Sequence, residues 1–378
     1  THCISSAASD VYKRQSLCRC GCKGLGVRQL RLVGFRALAT QTLAFSPGLN
    51  LLFGDNASGK TSLLEALDIA SRGRSFRTQH LSEIARWDGN GEWALDVAHA
   101  HAVGDDLLKL RYRGGALESR QQSEVLSREQ MARSLPALIL GPDLHRLMDD
   151  GPKIRRAFMD WALFHVEHTF AEHWRRYQQA LRQRNAAIRR QAPSSQIFAW
   201  NDSLLSAGTV ITQHRRQLVE GLRVHFAATV STTEMLPAAE INYRQGWAKD
   251  LSFEAALKKA DAHIGAQSAT PVGPHRGDLE LLAGNARVQT TLSRGQQKVF
   301  LISLALALAN LVHERIGHWP LLAIDDWHAE LSDNTAASIL DKLRTYQGQR
   351  ILSSFAAPTT AVAEARLFHV EQGRFSEC

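Results

Sequence analysis

The chain has 378 residues, of which 44% are hydrophobic and 22% are charged. This length favours two lobes over one, and this composition excludes a disordered, collagen-like or disulfide-stapled chain. The formal charge of +8 suits an acidic partner such as nucleic acid.

The cysteines lie at the two ends of the chain, with Cys3, Cys18, Cys20 and Cys22 near the start and Cys378 at the end. This distribution predicts a cytoplasmic chain without a disulfide framework. Residues 1–26 are rich in Ser and Cys and have no hydrophobic period, which predicts a disordered or artefactual extension. The spacing of the cysteines in 18–22 does not match the usual zinc patterns, so a metal site there is the less favoured interpretation.

Apolar runs of strand length recur in the first third of the chain. They predict strands at 27–35, 42–45, 49–54, 93–102 and 107–112. Apolar residues at helical spacing predict a helix beginning near Thr61. Gly104, Asp105 and Asp106 indicate a turn between the last two strands.

The pattern becomes helical between 129 and 264, with long amphipathic stretches at 155–190. Strands are predicted again at 279–282, 320–324 and 350–353, together with a helix from Gln296. Its apolar run at 299–312 is shorter than the ~20 residues that cross a membrane, so we expect a buried core helix and no membrane partner. The fold class is therefore α/β, with one lobe formed by 27–128 and 265–378 and a mainly helical second lobe inserted at 129–264.

The sequence GDNASGKT fits the pattern G-x-x-x-x-G-K-[ST] and lies between a predicted buried strand and a helix. Backbone N–H groups and a helix N-terminus in this context suit phosphate oxygens. We predict an ATP and Mg²⁺ site in which Lys60 reaches the β- and γ-phosphates and the Thr61 hydroxyl ligates the metal. The predicted nucleotide contacts are Gly54, Asp55, Asn56, Ala57, Ser58, Gly59, Lys60 and Thr61. A glycine turn with an exposed lysine is the alternative.

The run LLAIDD at 321–326 has the apolar strand and terminal acids of a Walker B strand. Asp325 is predicted to hold Mg²⁺, and Asp326 to orient or deprotonate the attacking water. Asp326 and Lys60 are the predicted catalytic residues. The alternative is a pair of acids that caps a strand.

The sequence LSRGQQK at 292–298 precedes the apolar helix and resembles the signature motif of ABC-type ATPases. Ser293, Arg294, Gly295 and Gln296 would form an anion site at a helix N-terminus. In ABC-type ATPases this site faces the γ-phosphate bound by the other protomer, so the resemblance implies an ATP-dependent homodimer. An ordinary helix cap is the alternative.

Beyond the nucleotide motifs, the chain resembles the RecF family of bacterial recombination-repair ATPases, which is related to the SMC and Rad50 proteins. The resemblance extends from 27 to about 375 and depends on GRSFRT at 73–78, GPDLHRLMDDGPKIRRAFMDW at 141–161, QRNAAIR at 183–189 and GPHRGDL at 273–279. It implies an ABC-type ATPase head with a short helical lobe in place of a long coiled coil.

The same resemblance implies a function in recombinational repair and replication-fork maintenance. It implies dimerisation on ATP binding, binding to single-stranded, double-stranded and gapped DNA, and work with RecO and RecR in loading RecA. Asp326 is shorter than the Glu of most ABC-type ATPases, so slow hydrolysis that acts as a switch is expected. Stimulation of this hydrolysis by DNA is implied by the resemblance. Relatives commonly read S-E-L-D after the two acids, whereas Ala329 and Ser332 here replace a hydroxyl and an acid. The switch His of transporter ATPases is also missing, since Leu352 is followed by Ser353 and Ser354, and RecF-like sequences generally lack this His.

Six arginines and no acid lie between 175 and 190, and Arg175, Arg182 and Arg189 recur every seven residues along one helical face. This stripe is a candidate for contacts with DNA phosphates, and a solvated basic face is the alternative. Arg74 and Arg77 form a second candidate DNA surface, for which packing or nucleotide contact is the alternative. His275 and Arg276 receive no role.

Two other functions fit the nucleotide motifs. A transporter ATPase subunit would need a surface for a membrane partner, and the long Arg-rich insertion argues against it. A non-hydrolysing scaffold would use ATP only for assembly.

Overall fold

The computed structural model describes residues 26–101, 104–142, 144–231, 236–357 and 364–378. Of the predicted extension, only Gly26 falls within this part of the chain, as the first residue of a strand. The cysteine run at 18–22 lies outside the described residues.

Among the described residues, strands predominate near both ends, and five consecutive helices lie between the eighth and ninth strands. The strands are β1 (Gly26–Val33), β2 (Gln41–Ala44), β3 (Leu49–Phe53), β4 (Trp93–His101), β5 (Gly104–Arg113), β6 (Ala116–Gln121), β7 (Glu124–Val125), β8 (Ala137–Leu140), β9 (Ala239–Arg244), β10 (Asp278–Ala283), β11 (Ala286–Arg287), β12 (Leu321–Ile324), β13 (Arg350–Ser354), β14 (Arg366–Glu371) and β15 (Arg374–Glu377). The helices are α1 (Lys60–Arg72), α2 (Arg128–Ser134), α3 (Arg146–Asp149), α4 (Pro152–Val166), α5 (Phe170–Arg189), α6 (Ser194–Phe198), α7 (Asn201–Val230), α8 (Phe253–Asp261), α9 (Val288–Thr291), α10 (Arg294–Ile316) and α11 (Asp333–Thr345).

The central sheet has the strand order β15-β14-β3-β13-β12-β8. Its strands are parallel except β15, which pairs antiparallel with β14. Strands β12 and β13 are buried along their whole length, and β3 is buried except at its last residue. Continuous apolar runs suit such strands because both sheet faces are covered. Parallel pairing brings the carboxyl ends of β3, β13, β12 and β8 to one edge, where the candidate site lies.

A second sheet is antiparallel and has the order β2-β1-β4-β5-β6-β7. Here the predicted turn at Gly104–Asp106 is wrong, because these residues belong to β5 and pair with His101, Ala100 and His99. The two acids remain compatible with a strand because Asp105 forms an ion pair with Arg28 and Asp106 accepts a hydrogen bond from Gln121.

Helices α4, α5, α7 and α10 share one large hydrophobic core with parts of the central sheet. The predicted boundaries of the helical lobe do not coincide with the strand pairing. Strand β8 lies within 129–264 yet pairs with β12. Strand β9 also lies within that range but pairs with β10, which belongs to the last predicted segment.

Buried arginines join the helices of the helical lobe to one another and, through Arg155, to β10. Arg155 of α4 donates to both carboxylate oxygens of Asp278 in β10, at 2.8 and 3.0 Å. Arg215 of α7 pairs with Asp160 at 2.8 Å. Arg184 is fully buried and pairs with Asp261. Removing one partner of such a pair leaves an uncompensated buried charge, so these arginines stabilise the lobe and are not available to a ligand.

Helix α10 confirms the predicted core helix, since every residue of 299–312 is buried except the half-buried Asn310. By length and composition alone it is the one helix among the described residues that could cross a membrane, yet 72% of its apolar window is buried inside the fold.

Candidate nucleotide-binding site

The loop at 54–61 joins the end of β3 to the start of α1 and depends on two glycines. Gly54 has φ 151°, and a Cβ there would lie 2.1 Å from the carbonyl oxygen of Val370. Gly59 has φ 121°, and a Cβ there would lie 2.6 Å from a methyl of Leu38. Both the backbone conformation and the close packing therefore exclude a side chain. The loop thus lies against β14 at Gly54 and against the segment between β1 and β2 at Gly59.

The lysine of this loop points back over its backbone. Lys60 Nζ donates to the carbonyl oxygens of Gly54 at 2.6 Å and Asp55 at 2.8 Å. Only 5% of Lys60 is exposed, so the alternative of a glycine turn with an exposed lysine is wrong. The Oγ of Ser58 is buried without a hydrogen-bond partner in the described structure. An ammonium, an unsatisfied hydroxyl and a glycine cradle fit the phosphates of a nucleotide.

The first acid of the Walker B strand lies against the loop helix. Asp325 Oδ2 accepts a hydrogen bond from Thr61 Oγ1 at 2.7 Å, and its Oδ1 accepts one from Ser353 Oγ. Burial raises the pKa of Asp325, whereas the hydrogen bonds from Ser353 and Thr61 lower it. A hydroxyl and a carboxylate oxygen in contact are the donor types that Mg²⁺ prefers. Thr61 and Asp325, which are distant in sequence, are thus positioned to hold one metal ion.

The second acid begins the loop that follows β12. Asp326 has φ 42°, a left-handed conformation that non-glycine residues rarely adopt. Its N–H donates to Ser353 Oγ at 2.8 Å. Ser353 therefore bonds to the side chain of one acid and the backbone of the next. Strained backbone of this kind is common at functional sites.

Ser293 caps helix α10 in a reciprocal capping box. Its Oγ accepts the N–H of Gln296 at 3.3 Å, and Gln296 Oε1 accepts the N–H of Ser293 at 3.0 Å. Arg294 is exposed and pairs with Asp149 of α3 at 2.8 Å. The cap is confirmed by this geometry. The role of Ser293, Arg294, Gly295 and Gln296 as an anion site for a second protomer stays a prediction.

The signature helix and the loop after β12 are fixed to each other within one chain. Lys298 Nζ donates to the carbonyl oxygens of Asp326 at 2.5 Å and Ala329 at 2.9 Å. A Cβ on Gly295 would lie 2.8 Å from the carbonyl oxygen of Glu330. Burial lowers the pKa of Lys298. These contacts hold the first turns of α10 against the loop that contains Asp326.

Sequence reasoning missed the roles of Ser353 and Lys298. In the sequence, Ser353 is recognisable only as a residue in place of a switch His, and Lys298 only as the last residue of the signature motif. Ser353 is a polar residue near the end of β13, the strand next to the Walker B strand β12. Neighbouring parallel strands end at the same edge of the sheet, so this position could have indicated that Ser353 belongs to the site.

The other predicted residues separate into exposed and structural groups. Arg175, Arg182 and Arg189 are exposed on α5, and Arg175 lies 3.6 Å from Glu129. Arg77 pairs with the buried Glu65 at 3.4 Å, which favours packing for that residue. His275 lies 2.6 Å from the hydroxyl of Tyr177, and burial lowers its pKa to about 4. This histidine supports the helical lobe.

We expect Ser353→Ala to destabilise the protein. The change leaves the buried carboxylate of Asp325 without one of its two hydrogen bonds, which costs ~1–3 kcal/mol of the free energy of unfolding. Chemical denaturation measures this loss. Ser303→Ala is the matched control, because Ser303 is fully buried in α10 and its hydroxyl has no hydrogen-bond partner in the described structure. Equal losses in the two variants would contradict the assigned role of Ser353.

A family model described as RecF/RecN/SMC N terminal domain matches residues 26–376. The "DNA replication and repair protein RecF" of Stutzerimonas stutzeri (strain A1501) is 33% identical and covers 93% of this chain and 98% of its own. The protein of the same description from Pseudomonas putida (strain GB-1) is 36% identical and also covers 93% and 98%.

Two solved structures show the same fold. A structure described as the recombination mediator protein RecF-ATPrS in the RecFOR pathway has a TM-score of 0.83, is 23% identical and covers 94% of this chain and 98% of its own. An Smc head bound to the C-winged helix domain of ScpA has a TM-score of 0.58, is 14% identical and covers 93% and 97%. The fold and the site therefore define an ABC-type ATPase head of the SMC group. Within this group, the chain belongs to the RecF family of DNA replication and repair proteins.

Proposed function

We propose that the protein is an ATP-dependent DNA-binding protein of recombinational repair in the cytoplasm, which hydrolyses ATP slowly as a switch. The hydrogen bond between Thr61 Oγ1 and Asp325 Oδ2 carries this proposal. It joins the phosphate loop to the Walker B acid at one edge of the central sheet, as an ATP and Mg²⁺ site requires. When bound at Thr61 and Asp325, Mg²⁺ would supply positive charge that offsets the charge developing on the phosphates.

Each residue of the nucleotide-binding site has a distinct task in this proposal. Lys60 binds the β- and γ-phosphates, and the loop backbone cradles them. Thr61 and Asp325 hold the metal, while Asp326 orients or deprotonates the attacking water. Ser353 fixes both acids through its two hydrogen bonds.

The position of the signature helix supports a proposal of dimerisation. Ser293 and Arg294 are exposed at the N-terminus of α10, and Lys298 and Gly295 hold that end of the helix against the loop of Asp326. We propose that this end binds the γ-phosphate on a second copy of the chain. ATP would then join two subunits, and hydrolysis would separate them.

We propose that the protein binds single-stranded, double-stranded and gapped DNA. We also propose that it works with RecO and RecR in loading RecA. The relative described as a mediator in the RecFOR pathway supports this assignment. The exposed arginines of α5 are a candidate surface for DNA phosphates. A charge-based contact of this kind has no sequence specificity.

The test is a measurement of molecular mass with and without ATP, with gapped duplex present, over a series of salt concentrations. We expect a monomer without ATP, a dimer with ATP, and DNA affinity that falls steeply as salt rises. A chain that binds ATP but stays monomeric at all concentrations would refute the shared site. DNA affinity that does not change with salt would refute the basic DNA surface.

A further inference from the structure

A cavity of about 710 Å³ lies beside the C-terminal end of α1, away from the phosphate loop at the other end of that helix. Its walls come from the segment after α1, the start of α2, strand β8, and helices α3 and α4. The volume falls within the range of about 300–1,000 Å³ that is typical of pockets for small ligands. The residue tasks of the proposed ATP site do not use this cavity, although its lining includes Arg74 and Arg77, which the sequence gives as a candidate DNA surface.

The cavity is strongly basic. Its lining includes six cations, and none of its described lining residues is acidic; the cations are Arg72, Arg74, Arg77, Arg128, Arg146 and Lys153. Three of these cations form ion pairs: Arg72 with Asp68, Arg77 with Glu65, and Arg146 with Asp150.

Arg74, Arg128 and Lys153 form no ion pair within the described part of the chain. Loss of surrounding water and the nearby charges of Arg72 and Arg128 lower the pKa of Arg74. The charge of Asp68 offsets part of this effect on Arg74, and a bound anion would relieve the remaining repulsion.

Aromatic rings line the same cavity. Phe76 lies on the side of β8, and a Cβ on Gly141 would lie 3.1 Å from its ring. Phe158 and Trp161 line the side of α4, and all three rings are half-buried. Guanidinium groups beside flat rings are the combination by which proteins bind single-stranded nucleic acid, with phosphates on the cations and bases stacked on the rings. In a duplex the bases are stacked on one another, so their faces are not available to these rings.

From this combination we infer that the cavity is a binding site for nucleotides of single-stranded DNA. The inference rests on the proposed function and deepens it, because it assigns the single strand of a gapped substrate to a separate place from the arginines of α5. An acidic peptide could satisfy the cations but would leave the aromatic walls without stacking partners.

The walls of the cavity connect to the nucleotide site at three points. Helix α1 begins at Lys60 and ends at Arg72 in the cavity wall. The carbonyl oxygen of Leu140, the last residue of β8, accepts the N–H of Asp325 at 2.8 Å. Helix α3 supplies Arg146 to the wall and Asp149 to the signature residue Arg294. A strand bound in the cavity therefore contacts the elements that position Lys60, Asp325 and Arg294.

The experiment measures binding of fluorescent oligo(dT) and of gapped duplex to the full chain over a salt series. We compare the parent with Arg128→Ala/Lys153→Ala, which removes two exposed cations without breaking an ion pair. The matched control is Lys258→Ala/Lys259→Ala, which removes two exposed cations from α8. We expect the cavity variant to weaken oligo(dT) binding at least tenfold and to reduce the slope of log K against log[salt] by about 1.4, since each contact with a single-strand phosphate contributes about 0.7. The control should match the parent.

A second variant tests the stacking surface. Phe158→Leu keeps an apolar side chain, and we expect it to weaken oligo(dT) binding about tenfold with an unchanged salt slope. Parent-like binding by both cavity variants would overturn the site. Displacement of oligo(dT) by polyglutamate of equal charge concentration would show that charge alone is recognised and would also overturn it. If the parent binds neither DNA, the proposed function fails. If it binds gapped duplex and the cavity variants bind oligo(dT) like the parent, only the cavity assignment fails.

Discussion

Lys60→Ala is expected to abolish ATP-driven dimerisation and to lower ATP turnover by a factor on the order of 10²–10³. The ammonium is buried beneath the loop and contacts the carbonyl oxygens of Gly54 and Asp55. No other cation occupies positions 54–61, so its loss leaves the triphosphate without its main positive partner. Turnover of ATP and molecular mass with and without ATP measure the two effects.

Lys109→Ala is the control for this variant, because Lys109 is an exposed cation on β5 in the antiparallel sheet. It should dimerise and hydrolyse ATP like the parent. Chemical denaturation of Lys60→Ala shows whether the loop stays folded without the two lysine hydrogen bonds. The site assignment would fail if even Lys60→Arg, which puts a larger guanidinium in the buried position, dimerised and hydrolysed ATP at the parent rate.

The parts of the site that are local in sequence could be predicted from the sequence. The phosphate loop has fixed residues at fixed spacing, and its glycines are required by a backbone that a Cβ would block. The apolar runs that became β3, β12 and β13 were recognisable because strands covered on both faces need continuous apolar sequence. The capping box of Ser293 and Gln296 is also local, as both residues lie in one helical turn.

Features that depend on contacts between distant segments could not be predicted in this way. Nothing near Ser353 in the sequence shows that its hydroxyl bonds to Asp325 and to the N–H of Asp326. Strand β8 has only four residues inside a helical pattern, and its pairing with β12 decides that it belongs to the central sheet. The segment at Gly104–Asp106 has turn-like residues, but Arg28 and Gln121 on other strands provide partners for its acids.

Asp326→Asn separates a hydrolysing switch from a scaffold that uses ATP only for assembly. Asn is nearly the same size as Asp and tolerates the left-handed backbone that Asp326 adopts at φ 42°. The hydrogen bonds of its backbone to Ser353 and Lys298 should therefore persist. Only the carboxylate that would orient or deprotonate the attacking water is lost. The substitution thus changes the chemical step while leaving the loop and its contact with α10 in place.

We expect Asp326→Asn to lower ATP turnover by a factor on the order of 10²–10⁴, as for loss of a general base, and to keep ATP-driven dimerisation. The variant dimer cannot be separated by hydrolysis at the parent rate. After a single addition of ATP it should therefore persist for longer than the parent dimer. Asp333→Asn is the matched control. Asp333 is an exposed acid in the first turn of α11, the helix that follows the loop of Asp326. Turnover that is unchanged in Asp326→Asn would show that Asp326 is not the catalytic acid. A parent chain that dimerises with ATP but releases no phosphate would instead identify the scaffold.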